Sequence, residues 1–214
     1  MGVLVLFKVR EETHSNVAVS AANIFSPKEV FKSFQDLDKR LKIFLLIVFI
    51  FNLGNSSNQF LLLRAKNLGF SLISVIVMYL VYNLTYALTS YPAGRISDII
   101  GRKKILVLGY LFYGLVYLGF AKIIGASSLI WILFGFYGFY MGFTDGVEKA
   151  FVSDIAPADS RATLIGLHAT LVGLALLPAS LLAGVLWKTL GAAMPFWFGG
   201  VMGILASIGL VIFI

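Results

Sequence analysis

Continuous apolar runs about twenty residues long dominate this sequence. A helix needs roughly 20 apolar residues to cross a hydrocarbon core about 30 Å thick. Because the runs are continuous rather than alternating, they indicate helices and not the strands of a membrane barrel. We therefore expect an all-α integral membrane protein with six transmembrane helices, at about residues 43–63, 71–91, 105–124, 129–147, 163–187 and 195–214.

The composition agrees with a membrane protein. The chain is 59% hydrophobic and 13% charged, whereas globular domains are about 45–50% apolar and about 25% charged. The sequence has no cysteine, which excludes a disulfide framework, a thiol nucleophile and a cysteine metal site. The net charge of +7 is compatible with nucleic-acid binding, but in a membrane protein excess Lys and Arg usually reports orientation.

The distribution of basic residues predicts that orientation. Most of the 17 Lys and Arg residues lie in the N-terminal segment or in the gaps after the second and fourth runs. The opposite side holds Arg64, Lys66, Lys122 and Lys188. Since cytoplasmic loops are enriched in Lys and Arg, we expect a multi-pass protein of the cell membrane with both termini in the cytoplasm.

The first ten residues begin with the apolar stretch MGVLVLF, which is too short to span a bilayer. No basic region precedes it and no small-residue cleavage site follows, so it does not read as a signal peptide. We interpret residues 1–10 as the tail of a missing helix. The alternative is a start codon followed by a short hydrophobic tail.

A linker with one amphipathic helix follows. Ser26 and Glu29 have the spacing of a capping box, and apolar residues then recur on one helical face. This pattern predicts a helix over residues 26–41, either lying on the membrane surface or packed under a cytoplasmic loop. Residues 11–42 are then a cytoplasmic linker, and residues 43–214 form the transmembrane domain.

A dense charge cluster, GRISDIIGRKK, lies between the second and third runs. We expect Pro92 and Gly94 to end one helix and Gly101 to permit a tight turn. Consecutive basic residues hold such a loop in the cytoplasm without further help. Asp98 is different, because a carboxylate beside the membrane is costly unless a basic side chain or a helix N-terminus pairs with it.

This cluster resembles the signature loop of the major facilitator superfamily, Gly-x-x-x-Asp-x-x-Gly-Arg-basic-basic, which takes part in conformational gating. The matching residues are Gly94, Asp98, Gly101, Arg102, Lys103 and Lys104. Further stretches resemble the C-terminal half of bacterial and archaeal members, namely NLGNSS at 52–57, YPAG at 91–94, GVEKA at 146–150 and LPASLLAG at 177–184. The resemblance implies one half of the family fold, built from two inverted three-helix repeats, with solute held between two halves near the midplane.

The resemblance also implies ion-pair partners for the loop. Arg102 is expected to pair with Asp145 or Glu148, which lie at the end of the fourth run. The family partner of Asp98 lies in the opposite half, which this sequence does not contain. A proton site at Asp145 and Glu148 is the alternative.

Polar side chains inside the runs are candidates for a substrate cavity, because polar groups in hydrocarbon usually face the bundle interior or a wet cavity. These candidates are Asn52, Asn55, Asn58, Tyr79, Tyr82, Asn83, Tyr86 and Tyr137. Hydrogen bonding between helices and aromatic packing are the alternatives. Gly138, Gly142 and Gly146 have the spacing of close helix packing. His168 is a candidate for proton coupling, but a single His with no visible partner more often has a structural role.

No HExxH, P-loop, G-x-S-x-G or dinucleotide motif is present. We therefore expect no enzyme, no cofactor and no metal site. The leading interpretation is half of a secondary-active transporter that moves a small solute by alternating access. Its expected partners are the lipid bilayer, an unidentified solute and either an N-terminal transporter half or a second copy. The alternative is a remnant of a split or truncated gene, or a structural membrane partner without transport activity.

Overall fold

The computed structural model describes residues 37–214, and every regular element in that range is helical. Seven α-helices follow one another, with a short 3₁₀ helix at Ala158–Ser160 between the fifth and sixth. They are α1 Lys39–Gly54, α2 Gln59–Asn67, α3 Leu72–Ile100, α4 Arg102–Lys122, α5 Leu129–Ile155, α6 Arg161–Leu190 and α7 Met194–Phe213.

Five helical segments of the described range are long and apolar enough to cross a membrane. They are Lys39–Asn67, which contains both α1 and α2, then Leu72–Ile100, Arg102–Lys122, Ala158–Leu190 and Met194–Phe213. The remaining predicted run lies in α5. That helix is 27 residues long but is not one of the five segments. The all-α membrane architecture is confirmed at this level.

The first predicted run is not one continuous helix. α1 ends at Gly54, residues 55–58 are not helical, and α2 begins at Gln59. The Ser57 amide donates to Ser180 Oγ at 3.3 Å, so α6 supports the interruption. A Cβ on Gly54 would lie 3.4 Å from Cα of Gly199 in α7, so the two backbones are close at that point.

The signature loop is mostly helix, and the expectation that Pro92 and Gly94 end a helix is wrong. α3 passes through Pro92 and continues to Ile100. Proline inside a membrane helix is tolerated where neighbouring groups satisfy the freed backbone. The chain turns only at Gly101, whose φ of +102° favours glycine. Asp98 therefore projects from the last turn of α3 rather than from a loop.

An aromatic core surrounds α4, the helix that packs against both α5 and α7. The Phe51 ring stacks on Tyr110 with centroids 3.9 Å apart, and Tyr113 lies 4.1 Å from Tyr117. The Tyr113 hydroxyl donates to the carbonyl of Gly54 at 3.1 Å. These side chains are fully buried, and they fix the end of α1 against α4.

The other extensive packing pairs are α3 with α5, and α1 with both α6 and α7, while α6 also contacts α5 and α7. α3 and α6 are the least enclosed of the long helices. Five of 29 residues are buried in α3 and five of 30 in α6, against ten of 21 in α4. A large part of each of these two helices therefore faces away from the bundle.

The predicted tail at residues 1–10 and the first part of the linker, through residue 36, lie outside the described residues. The predicted amphipathic helix over 26–41 falls mostly in that part. The described chain enters α1 at Lys39, four residues before the predicted start of the first span. Asp38 caps this helix, since its side chain accepts a hydrogen bond from the Arg40 amide at 2.8 Å.

Candidate functional site

A polar bridge joins three elements near the interruption between α1 and α2. The Asn58 side-chain amide donates to the Tyr82 hydroxyl of α3 at 3.1 Å. The Tyr137 hydroxyl of α5 donates to Asn58 Oδ1 at 2.7 Å. The rings of Tyr82 and Tyr137 lie 5.3 Å apart. Asn58, which lies outside any helix, therefore links α3 and α5 through its side-chain amide nitrogen and oxygen.

The bridge continues along α3 towards the signature cluster. The Tyr86 hydroxyl donates to Asp145 Oδ2 at 2.8 Å, and Lys149 Nζ contacts Asp145 Oδ1 at 2.9 Å. Tyr82 and Tyr86 are one helical turn apart, so they present their hydroxyls to the same side of α5. The α3–α5 interface thus contains hydrogen bonds of two tyrosine hydroxyls, those of Tyr82 and Tyr86, one turn apart on α3.

The remaining cavity candidates have different surroundings. Tyr79 is 42% exposed, and its ring lies 5.5 Å from that of Tyr82. The Asn83 amide donates to the Tyr79 carbonyl at 2.7 Å, and the Asn52 amide donates to Val48 within its own helix at 2.8 Å. Asn55 Oδ1 is buried and has no hydrogen-bond partner in the described range.

Glycines allow α3 and α5 to approach closely. A Cβ on Gly138 would meet the carbonyl oxygen of Tyr82, and one on Gly142 would meet Thr89 Oγ1. Gly146 has open space around its missing side chain. Two of the three predicted packing glycines therefore lie at the contact, and the third borders a polar cavity of about 250 Å³ that Asp98, Arg102 and Asp145 also line.

The partners of Arg102 differ from the expected ones. In the structure Arg102 pairs with Asp98 at 3.0 Å and with Asp154 at 2.6 Å, and it also donates to the Ala150 carbonyl. No ion pair links it to Asp145 or Glu148 in the described range. The reason is helix length, because α5 continues to Ile155 and presents a later acidic residue. Asp98 thus has a partner within the chain, and the sequence interpretation overlooked Asp154.

Glu148 belongs to a separate buried network. Its Oε1 accepts from the Tyr110 hydroxyl at 2.9 Å, and its Oε2 lies 3.2 Å from His168 Nε2. His168 is 3% exposed, and its Nδ1 has no partner among the described residues. The network joins α4, α5 and α6. The position of His168 gave no sign of this contact, since the two residues are 20 positions apart on different helices.

A buried arginine marks the opposite end of the bundle. Arg64 of α2 donates through Nε to the Phe120 carbonyl at 3.1 Å and through Nη2 to the Ile123 carbonyl at 2.8 Å. These carbonyls end α4, where the helix dipole favours a cation. The sequence alone indicates only a topological charge at Arg64, but these contacts give the residue a structural role.

The comparisons with known proteins agree with this architecture. The family model described as the Major Facilitator Superfamily matches residues 43–214. An uncharacterized MFS-type transporter of Methanocaldococcus jannaschii is 45% identical over 180 residues, which cover 81% of this chain and 45% of that protein. A second uncharacterized MFS-type transporter of the same organism is 28% identical over 144 residues, 67% of this chain and 37% of that protein. The chain spans about half the length of the curated relatives it matches. The chain is a multi-pass membrane protein that belongs to the Major Facilitator Superfamily.

Proposed function

We propose that this chain is one six-helix half of a secondary-active transporter that moves a small solute by alternating access. A second six-helix unit completes the transporter, supplied by a partner half or by a second copy of the chain. The lipid bilayer surrounds both units, and no catalytic step is involved. The excess of basic residues beside α3, α4 and the N-terminal segment favours an orientation with both termini in the cytoplasm of a cell-membrane protein.

The pairing of helices supports two three-helix repeats. Here α1 and α2 count as one span, which gives two sets of three spans. If the first set is exchanged with the second, the α3–α5 contact becomes the α6–α1 contact. The same exchange turns the α4–α5 contact into the α7–α1 contact. Equivalent turns at Gly101 and Gly191 share a φ of +102°. Because each repeat would hold an odd number of spans, the second repeat would run inverted relative to the first.

The face of α3 that bears the polar side chains is the observation that carries the proposal. α3 buries few of its residues; Tyr82 is one of them, and Tyr79, Asn83 and Tyr86 in the same two turns are partly exposed. Polar groups at membrane depth are expensive when they face lipid and ordinary when they line a wet path. We therefore assign this face, together with Tyr137 and the interrupted segment at 55–58, to the solute path between two units.

Asn55 supports the same assignment. Leaving a buried acceptor without a hydrogen bond costs about 1–3 kcal/mol, and Asn55 Oδ1 is such an acceptor in the described range. A solute or a water molecule in the path would supply the missing donor. Asn52, which bonds within its own helix, is less suited to contact a solute.

The Asp98–Arg102–Asp154 network has a proposed role in gating. It ties the end of α3 to the start of α4 and the last turn of α5. Both pairs are partly exposed, so each contributes at most about 1 kcal/mol. A contact of this strength can break and re-form as one unit rocks against the other. Lys103 and Lys104 take no part in these pairs and serve orientation.

Solute transport is the direct test. Membrane vesicles containing the parent chain, or the Tyr82→Phe variant, are incubated with a cell extract, and the solutes inside are compared by mass spectrometry. We expect at least one solute to accumulate with the parent and to fall severalfold with Tyr82→Phe, which removes one hydroxyl from the polar bridge. An Ile208→Val variant on the exposed face of α7 is the control and is expected to match the parent. Identical solute contents with parent and empty vesicles would contradict transport by two copies of the chain and would favour either a required partner half or a structural membrane protein.

A further inference from the structure

An apolar groove of about 340 Å³ runs along the surface between α4 and α5. α4 lines it with Leu108, Leu111 and Leu115, and α5 lines it with Phe139 and Phe143. Leu108 and Leu115 are 59% and 55% exposed, so the groove is open to its surroundings. It is separate from the polar bridge, which lies on the side of α5 that faces α3.

The shape of the groove is preformed. A Cβ on Gly109 would meet the Thr144 side chain, which shows how closely the two helices meet at the floor. Phe139 stacks on Phe143 with centroids 4.3 Å apart and packs edge-on against Phe112 at 5.6 Å. Rings held in contact in this way lose little freedom when a flexible ligand binds.

The groove has the length of one membrane leaflet. Its α4 lining extends from Ile105 to Leu115, a rise of about 15 Å at 1.5 Å per residue. Half of a hydrocarbon core about 30 Å thick is also about 15 Å. The apolar lining therefore matches one acyl chain that enters from the side where α4 begins.

Basic residues stand at that end of the groove. Lys104 lies one helical turn before Leu108 on the same face of α4, and it is exposed. Neither Lys103 nor Lys104 has an ion-pair partner within residues 37–214. Arg102, by contrast, is already engaged by two aspartates. Among the described residues, Lys103 and Lys104 are therefore cations without an ion pair that stand near the mouth of the apolar groove.

We propose that this groove is a binding site for one anionic phospholipid. One acyl chain lies between the leucines of α4 and the phenylalanines of α5, and the phosphate group meets Lys104 with Lys103 beside it. The charge at the mouth selects an anionic headgroup over a zwitterionic one, because a Lys near a membrane surface attracts anionic lipid by about fivefold in affinity. The inference does not depend on the transport proposal, since no residue of the polar bridge takes part.

Native mass spectrometry of the full chain tests the selectivity. The protein in a neutral detergent is titrated with phosphatidylglycerol and, separately, with phosphatidylcholine. We expect one phosphatidylglycerol per chain at low lipid concentration and several times less phosphatidylcholine. Lys104→Gln should lower the retention of phosphatidylglycerol about fivefold, and Lys104→Arg should restore most of it. Lys66→Gln, an exposed lysine at the other end of the bundle, is the matched control and should leave retention unchanged.

A second measurement locates the lipid. The fluorescence of a Phe112→Trp variant in vesicles, with the three native tryptophans replaced by Phe, should be quenched by phosphatidylglycerol with brominated chains at a lower mole fraction than by brominated phosphatidylcholine. Equal retention of both lipids, or full retention by Lys104→Gln, would overturn the proposal and leave an unselective lipid surface. Rapid disulfide formation between chains that carry Leu115→Cys would also overturn it, because a second copy would then cover the groove.

Discussion

Among single residues, Glu148 and His168 are ionisable side chains in the interior of the helix bundle, where neither water nor lipid can solvate a charge. Both side chains are buried, and the Tyr110 hydroxyl completes the set of contacts to the carboxylate. A buried acid is tolerated only with such partners. The pair also supplies one of the polar links that hold α6, a helix with little buried surface, to the rest of the bundle.

Removal of one member of the pair should therefore cost stability. His168→Ala would leave the Glu148 carboxylate with Tyr110 as its remaining contact. We expect the free energy of unfolding to fall by about 3–5 kcal/mol, seen as a lower melting temperature in detergent. Glu148→Gln keeps the hydrogen-bonding shape without a charge and should lose much less. Equal melting temperatures for the parent and His168→Ala would show that the pair does not stabilise the fold.

Among the helices, the α3–α5 interface decides where the polar bridge lies. The glycine spacing of α5 lets the α3 backbone come within contact of Gly138 and Gly142, and this closeness brings the tyrosines of α3 to Asn58 and Asp145. Gly146 continues the same spacing into open space. The three glycines share one spacing, but only Gly138 and Gly142 are in contact with α3.

That difference makes a matched pair of substitutions possible. Gly142→Ala would place a methyl group against Thr89, and such overpacking costs about 1–3 kcal/mol. Gly146→Ala meets nothing, and alanine favours a helix interior over glycine by up to about 1 kcal/mol, so this variant should be neutral or slightly stabilised. Melting temperatures of the two variants compare them directly. A Gly142→Ala protein as stable as Gly146→Ala would contradict the close approach.

The helices could be predicted from the sequence better than their ends or their polar contacts. The apolar runs located the spans, because hydrophobic length is the dominant constraint in a bilayer. The ends of α3 and α5 were predicted too early, since Pro92 reads as a helix breaker and acidic residues read as loop. These extensions brought Asp154 rather than Asp145 to Arg102. Contacts such as Glu148–His168 depend on the packing of separate helices, which no local pattern in the sequence reports.

For the whole molecule, two helices stand out by their incomplete enclosure. In the proposed arrangement of two three-span repeats, α3 and α6 would occupy equivalent places, and each buries only five residues. The exposed part of α3 carries Tyr79 beside apolar residues such as Leu80 and Leu84, whereas the exposed face of α7 holds apolar residues such as Leu205 and Ile208. We therefore expect water to reach α3 and lipid to cover α7.

The most direct measurement uses the absence of cysteine in the parent chain. Single cysteines are placed at Tyr79 and Asn83 on α3, and at Ile208 on α7 as the control. Their reaction with a charged, membrane-impermeant thiol reagent is timed in native membranes. A wet solute path predicts reaction at Tyr79→Cys and Asn83→Cys at least about tenfold faster than at Ile208→Cys, because charged reagents are excluded from hydrocarbon. Equally slow reaction at all three positions would contradict the assignment of the α3 face to a solute path.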